Sequence, residues 1–143
     1  MAERVIAHFG GSLAGRTIAV WGLTFKPRTD DIREAPALTI IDLLLAAGAA
    51  VQVYDPVGMD RVRELYGDRL SYAPRNLEAL DGADALVVAT EWLEFRTLDF
   101  DELRARMKRL VIFDGRNLYA REDMMREGAA HLSIGRADVG AEE

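Results

Sequence analysis

The sequence contains no cysteine. Disulfide frameworks, thiolate nucleophiles and cysteine-based zinc sites are therefore excluded together. Histidine is scarce as well: His8 and His131 are the two in the chain, and they lie too far apart in sequence to suggest a Ser-His-Asp relay or a His-rich metal site. This argues against a hydrolase. The formal net charge is -6, which repels phosphate backbones, and no basic stripe interleaved with aromatics offsets it, so nucleic acid is a poor candidate partner. Long apolar runs are also missing. The longest, Leu43 to Val51, is interrupted by Gly48 and falls far short of the ~20 residues that a membrane span requires. The opening residues Met1-Ala2-Glu3-Arg4 show no basic segment leading into an apolar stretch, so no secretory signal is read and the cytoplasm is the expected location.

What is present reads as one α/β domain. The 143 residues are 50% hydrophobic and 29% charged, the balance of a globular chain long enough for a single core. Thr17 to Gly22 is a short β-branched, apolar run closed by glycine, as expected of a strand buried on both faces. Ala35 to Ala47 places Leu38, Ile41, Leu44 and Leu45 at helical spacing, with Pro36 in the first turn and Gly48 as the stop. Ala50 to Tyr54 reads as a strand, and Met59 to Tyr66 as a helix with Val62 and Leu65 inward. Asn76 to Leu80 suits a single helical turn, and Ala83 to Ala89 a further strand. Phe100 to Leu110 suits a helix, Leu110 to Phe113 a strand, Arg121 to Arg126 a helix, and His131 to Ile134 an edge strand. Strands alternating with helices predict a doubly wound, mostly parallel sheet covered on both faces, a Rossmann-like single domain. Residues 1–11 read as the tail of an incoming helix with its linker, 12–136 as the domain, and 137–143 as a disordered tail. No internal repeat or low-complexity tract interrupts this pattern.

The unusual element is the connection from Gly22 to Ala35. Connections of this kind usually take about 2 to 6 residues, and longer ones are commonly functional. It lies at the carboxyl end of the first strand and leads into a helix start, where ligands of open α/β sheets bind and backbone amides favour anions. Lys26, Arg28 and Arg33 bring positive charge to it, suited to a diphosphate. The plainer alternative is a solvated loop in which Asp30, Asp31 and Glu34 neutralise those cations. The G-x-G-x-x-G pattern is absent, which disfavours a primary NAD site here.

The run Gly22-Leu23-Thr24-Phe25-Lys26-Pro27, followed by Thr29-Asp30-Asp31-Ile32-Arg33-Glu34-Ala35-Pro36, resembles the signature that opens the carboxy-terminal domain of the UDP-glucose/GDP-mannose dehydrogenase family. Further matches follow in order: Tyr54-Asp55-Pro56, Thr90-Glu91-Trp92 with Phe95, Asp114-Gly115-Arg116-Asn117, and Ser133-Ile134-Gly135-Arg136. Together they cover about residues 4 to 136. The resemblance implies an enzyme that oxidises the sugar C6 alcohol to a carboxylate with two NAD, through a thioester on a cysteine. In that family NAD sits on a separate amino-terminal domain, a central helical region follows and holds most of the dimer contact, and the carboxy-terminal domain closes over the nucleotide sugar.

By the same resemblance Phe25, Lys26 and Arg116 contact the nucleotide sugar, and Arg33 approaches the NAD held by the other domain. Trp92 and Phe95 are expected to pack the rim of the sheet. Asp30 and Asp31 are expected to orient Lys26 and Arg33, and no catalytic acid, base or metal ligand is assigned. The family's cysteine, dinucleotide fingerprint and central helical region have no counterpart in these 143 residues, so the chain alone is expected to be inactive. Wording around Thr29 and Ser133 is closest to bacterial UDP-glucose enzymes, while GDP-mannose and UDP-N-acetylhexosamine relatives share much of it. Two other readings compete: a stand-alone nucleotide-sugar-binding or interaction module, and a phosphoacceptor receiver domain. The second fits poorly, because Asp30-Asp31 lies well beyond the first strand and no lysine follows Phe113.

Overall fold

The computed structural model describes residues 1–24, 31–32 and 35–133. A short helix α1 (Ala2–His8) leads through a glycine-rich turn to β1 (Thr17–Trp21). After it come α2 (Pro36–Ala46), β2 (Ala50–Tyr54), α3 (Met59–Tyr66) and the two-residue β3 (Ser71–Tyr72). The second half contains β4 (Ala85–Val88), α4 (Phe100–Arg106), β5 (Val111–Asp114), α5 (Arg121–Glu127) and β6 (Ala130–Ser133), with single 3-10 turns in the connections.

All six strands run parallel in the order β3-β2-β1-β4-β5-β6. The chain lays strands outward in one direction from β1 and then returns to start again at its other edge with β4. That reversal makes the β1/β4 boundary the topological switch point, the place where an open α/β sheet leaves a crevice beyond its carboxyl edge.

The strands are continuous apolar runs because both faces are covered. On β1, Ile18 and Val20 enter a core shared with α1, α2 and α3, where Val5, Ile41, Leu44, Val62 and Tyr66 are buried. Ala19 and Trp21 face the other way, into a core with Leu80, Phe95, Leu103 and Met124. Alternation with period two assigns each residue to its side. The amino-terminal helix joins the first of these cores, since Ala2 and Val5 are fully sequestered.

Three expectations from the sequence need correction. Leu65 does not point inward: it is 60% exposed, and Val62 is paired instead with Tyr66, one helical turn on. The Tyr66 hydroxyl donates to Asp42 at 2.6 Å, so the buried ring keeps its polar end satisfied. The fourth helix stops at Arg106 rather than Leu110, because Met107 turns extended and Lys108 N–H donates to Ala83 O at 2.8 Å. The edge strand β3 was not anticipated at all. Ile134 and the residues after it, including the expected tail, lie outside the described residues. Among the described residues no helix is long and apolar enough to cross a membrane.

Candidate functional site

The carboxyl edge of the sheet is built around two buried aspartates that end β2 and β5. Asp55 is fully buried. Its Oδ1 accepts from Val57 N–H at 2.9 Å and Gly58 N–H at 2.7 Å, closing the turn after its own strand. Its Oδ2 reaches sideways, accepting from Leu23 N–H at 2.8 Å and from Trp92 Nε1 at 3.3 Å. One carboxylate thus ties together the exits of β1, β2 and β4.

Gly22 begins the exit from β1. Its φ is +95°, and a Cβ there would lie 2.5 Å from the Thr90 side chain, so only glycine fits. Thr90 then donates its hydroxyl to Thr24 O at 3.2 Å. The stem of the long connection is therefore fastened to the β4 exit by Thr90 and to the β2 exit by Asp55. Phe25, Lys26 and Arg33, the other residues expected at the site, lie outside the described residues.

Arg116 is described. It follows Gly115, whose N–H donates to Val88 O at 2.9 Å and whose missing Cβ would sit 2.9 Å from that same oxygen. The close approach presses the turn after β5 against the end of β4. The guanidinium of Arg116 meets Glu91 Oε1 at 2.8 Å, and Arg96 lies 4.0 Å from the other oxygen of that carboxylate. The Arg116 and Glu91 side chains are 38% and 40% exposed, so both remain reachable from solvent. Beside them opens a cleft of about 470 Å³, walled by the start of α1, by Pro36, Thr39, Ile40 and Leu43 along α2, and by Ala89, Gly115 and Arg116 from the rim. That volume suits a small ligand, for which sites of roughly 300 to 1,000 Å³ are usual.

The described residues do not fit a resident NAD. A dinucleotide cradle needs open backbone at the first strand-to-helix turn, yet the space over Gly22 is filled by Thr90.

Trp92 and Phe95 pack the rim as expected. Trp92 bonds Asp55, and Phe95, fully buried, stacks on Trp21 with ring centroids 4.9 Å apart. The sequence motifs contain Thr90, Glu91, Asp55 and Asp114, but no contact was expected of any of them. The signal available was an aspartate at a strand end followed by proline or glycine, the arrangement in which a carboxylate accepts from backbone two or three residues on.

Comparison with known proteins agrees with this geometry. The model of the UDP-glucose/GDP-mannose dehydrogenase family, UDP binding domain, matches residues 19–121. A UDP-glucose 6-dehydrogenase of Rhizobium meliloti is 48% identical over 138 residues, covering 96% of this chain and 31% of its own length. One from Pseudomonas aeruginosa is 44% identical over 137 residues, covering 92% and 30%. Among solved structures, a UDP-glucose dehydrogenase from Pyrobaculum islandicum superposes with a TM-score of 0.73 at 33% identity, covering 94% of this chain and 28% of that one. An NDP-N-acetyl-D-galactosaminuronic acid dehydrogenase from Methanosarcina mazei gives 0.78 at 28% identity, covering 98% and 29%. The chain thus spans under a third of the length of these relatives. The strand order, the motifs along its carboxyl edge and the match over residues 19–121 lead to one assignment: the chain belongs to the UDP-glucose/GDP-mannose dehydrogenase family and corresponds to its UDP binding domain.

Proposed function

We propose that this chain supplies the nucleotide-sugar side of the active site of a UDP-glucose 6-dehydrogenase. Such an enzyme converts the C6 alcohol of UDP-glucose to the carboxylate of UDP-glucuronate, and two hydrides leave that carbon, each reducing one NAD. In this reading Arg116 and Lys26 hold the diphosphate as cations, and Phe25 packs against the nucleotide. Arg33 extends toward NAD bound on another domain. The remaining domains, the second subunit of an oligomer and a cytoplasmic setting belong to the same proposal. With no cysteine and no G-x-G-x-x-G pattern in the sequence, these residues bind and orient substrate and leave hydride transfer to the rest of the enzyme.

The observation that carries this reading is Arg116. It stands at the mouth of the cleft, at the switch-point edge, with a solvent-reachable carboxylate as its partner. An anion entering the cleft exchanges one negative partner for another, and charge-assisted contacts of this kind are worth about 1.5 to 3 kcal/mol each.

Titration of the chain with UDP, followed by amide NMR, tests the proposal. Shifts are expected at Gly22 to Thr24, Thr90 to Trp92 and Gly115 to Asn117. Arg116→Ala is expected to weaken binding by about tenfold or more. Shifts confined to the amino edge of the sheet, or equal affinity in the variant, would overturn it.

A further inference from the structure

We infer that His131 is a positioning residue for Arg116, acting through Asp114. The inference rests on the reading of Arg116 given above for its functional consequence, though its structural part stands alone.

Asp114, the last residue of β5, is fully buried and gathers at least four donors. Its Oδ1 accepts from Arg116 N–H at 3.2 Å and Leu118 N–H at 3.0 Å. Its Oδ2 accepts from Tyr119 N–H at 3.1 Å and meets His131 Nε2 at 3.1 Å. The backbone donors all belong to the turn that carries Arg116, which also holds Asn117 at a left-handed φ of 55°. Asparagine is among the few residues other than glycine that adopt this conformation readily, so the shape of the turn agrees with its sequence.

The turn is held at both ends, by Gly115 N–H on Val88 O at 2.9 Å and by the buried Tyr119, whose hydroxyl donates to Phe95 O. The carboxylate between them still has a broad, two-fold terminal torsion. His131 reaches it from a different strand: it sits on β6 opposite Ile112, with its ring fully buried and edge-on to Tyr119 at 6.3 Å. Anchoring Oδ2 from a strand sets the plane of the carboxylate, and that plane then sets the direction in which Arg116 leaves the turn.

Since the carboxylate only accepts, Nε2 must be the protonated nitrogen.

The test begins with the unaltered chain. Long-range proton–nitrogen NMR of the imidazole is expected to show the Nε2–H tautomer, and an Nδ1–H tautomer would overturn the inference. In His131→Leu, hydrogen exchange at the Arg116, Leu118 and Tyr119 amides is expected to quicken by about tenfold or more, while β1 and β4 amides stay protected. UDP affinity is expected to fall severalfold. His131→Gln, whose side-chain amide can donate to Oδ2, is expected to restore much of both. Unchanged exchange at those amides in the leucine variant, or no gain from glutamine, would also overturn it. Arg116→Ala separates the two readings. If that variant binds UDP normally, the role of Arg116 fails while the ligand-free exchange data still judge His131.

Discussion

Asp55 and Asp114 perform the same task on opposite sides of the switch point: each collects backbone N–H groups from loops beyond its own strand. Replacing Asp55 with asparagine puts an amide donor among four donors, two of them from other strand exits. The expected cost is about 1 to 3 kcal/mol, read by urea unfolding. For Asp114, burial acts to raise the pKa, but the hydrogen bonds from His131 and from the turn amides outweigh it and hold the carboxyl below its ordinary 3.8. A group whose folded value is depressed contributes stability that is whole above the unfolded value and is lost as pH falls through the folded one. Unfolding curves at stepped acidic pH are therefore expected to show a steeper acid limb in the unaltered chain than in Asp114→Asn. Gly22→Ala meets two obstacles, the Thr90 side chain and a φ of +95°. It is expected to destabilise by roughly 1 to 3 kcal/mol.

At the scale of elements, the buried strands were the easiest to read. β1, β2 and β4 are short apolar runs bounded by glycine, aspartate or proline, and a strand sequestered on both faces has no other composition available. Helices were legible where one stripe is strictly apolar, as in α2, and less so in α3, where Tyr66 displaces Leu65 from the core. Two-residue β3 carries no period to detect, and the end of α4 is set by a bond from Lys108 to Ala83 that no local pattern announces. The site divides along the same line. Arg116 was legible because it follows a strand end within a motif, whereas its partner Glu91 and the Asp114–His131 pair are long-range meetings made by the sheet order. One element-level device remains local: Asp99 caps α4 by accepting from Glu102 N–H at 3.2 Å. Asp99→Ala is expected to cost about 1 kcal/mol, visible as a lower melting temperature.

For the molecule as a whole, the sheet supplies a scaffold on which the edge residues are held while the cleft stays open. A ligand that binds only the folded form stabilises it by mass action, by about 2.7 kcal/mol at a hundredfold excess over Kd. UDP is thus expected to raise the melting temperature of the chain in a concentration-dependent way, and Arg116→Ala to abolish most of the rise. Given UDP-glucose and NAD, the chain alone is expected to produce no NADH. The strand order also bears on how the molecule comes into being. β1 is made first yet ends in the middle of the sheet, where Ile18 pairs with Val51 on one side and with Ala85 on the other. As the polypeptide emerges from the ribosome, the first edge is covered early and the second stays bare until β4 has been synthesised. Such long-separation pairing slows folding, and a bare strand edge invites association with other chains. Self-association through that bare edge is the expected hazard of this strand order during synthesis.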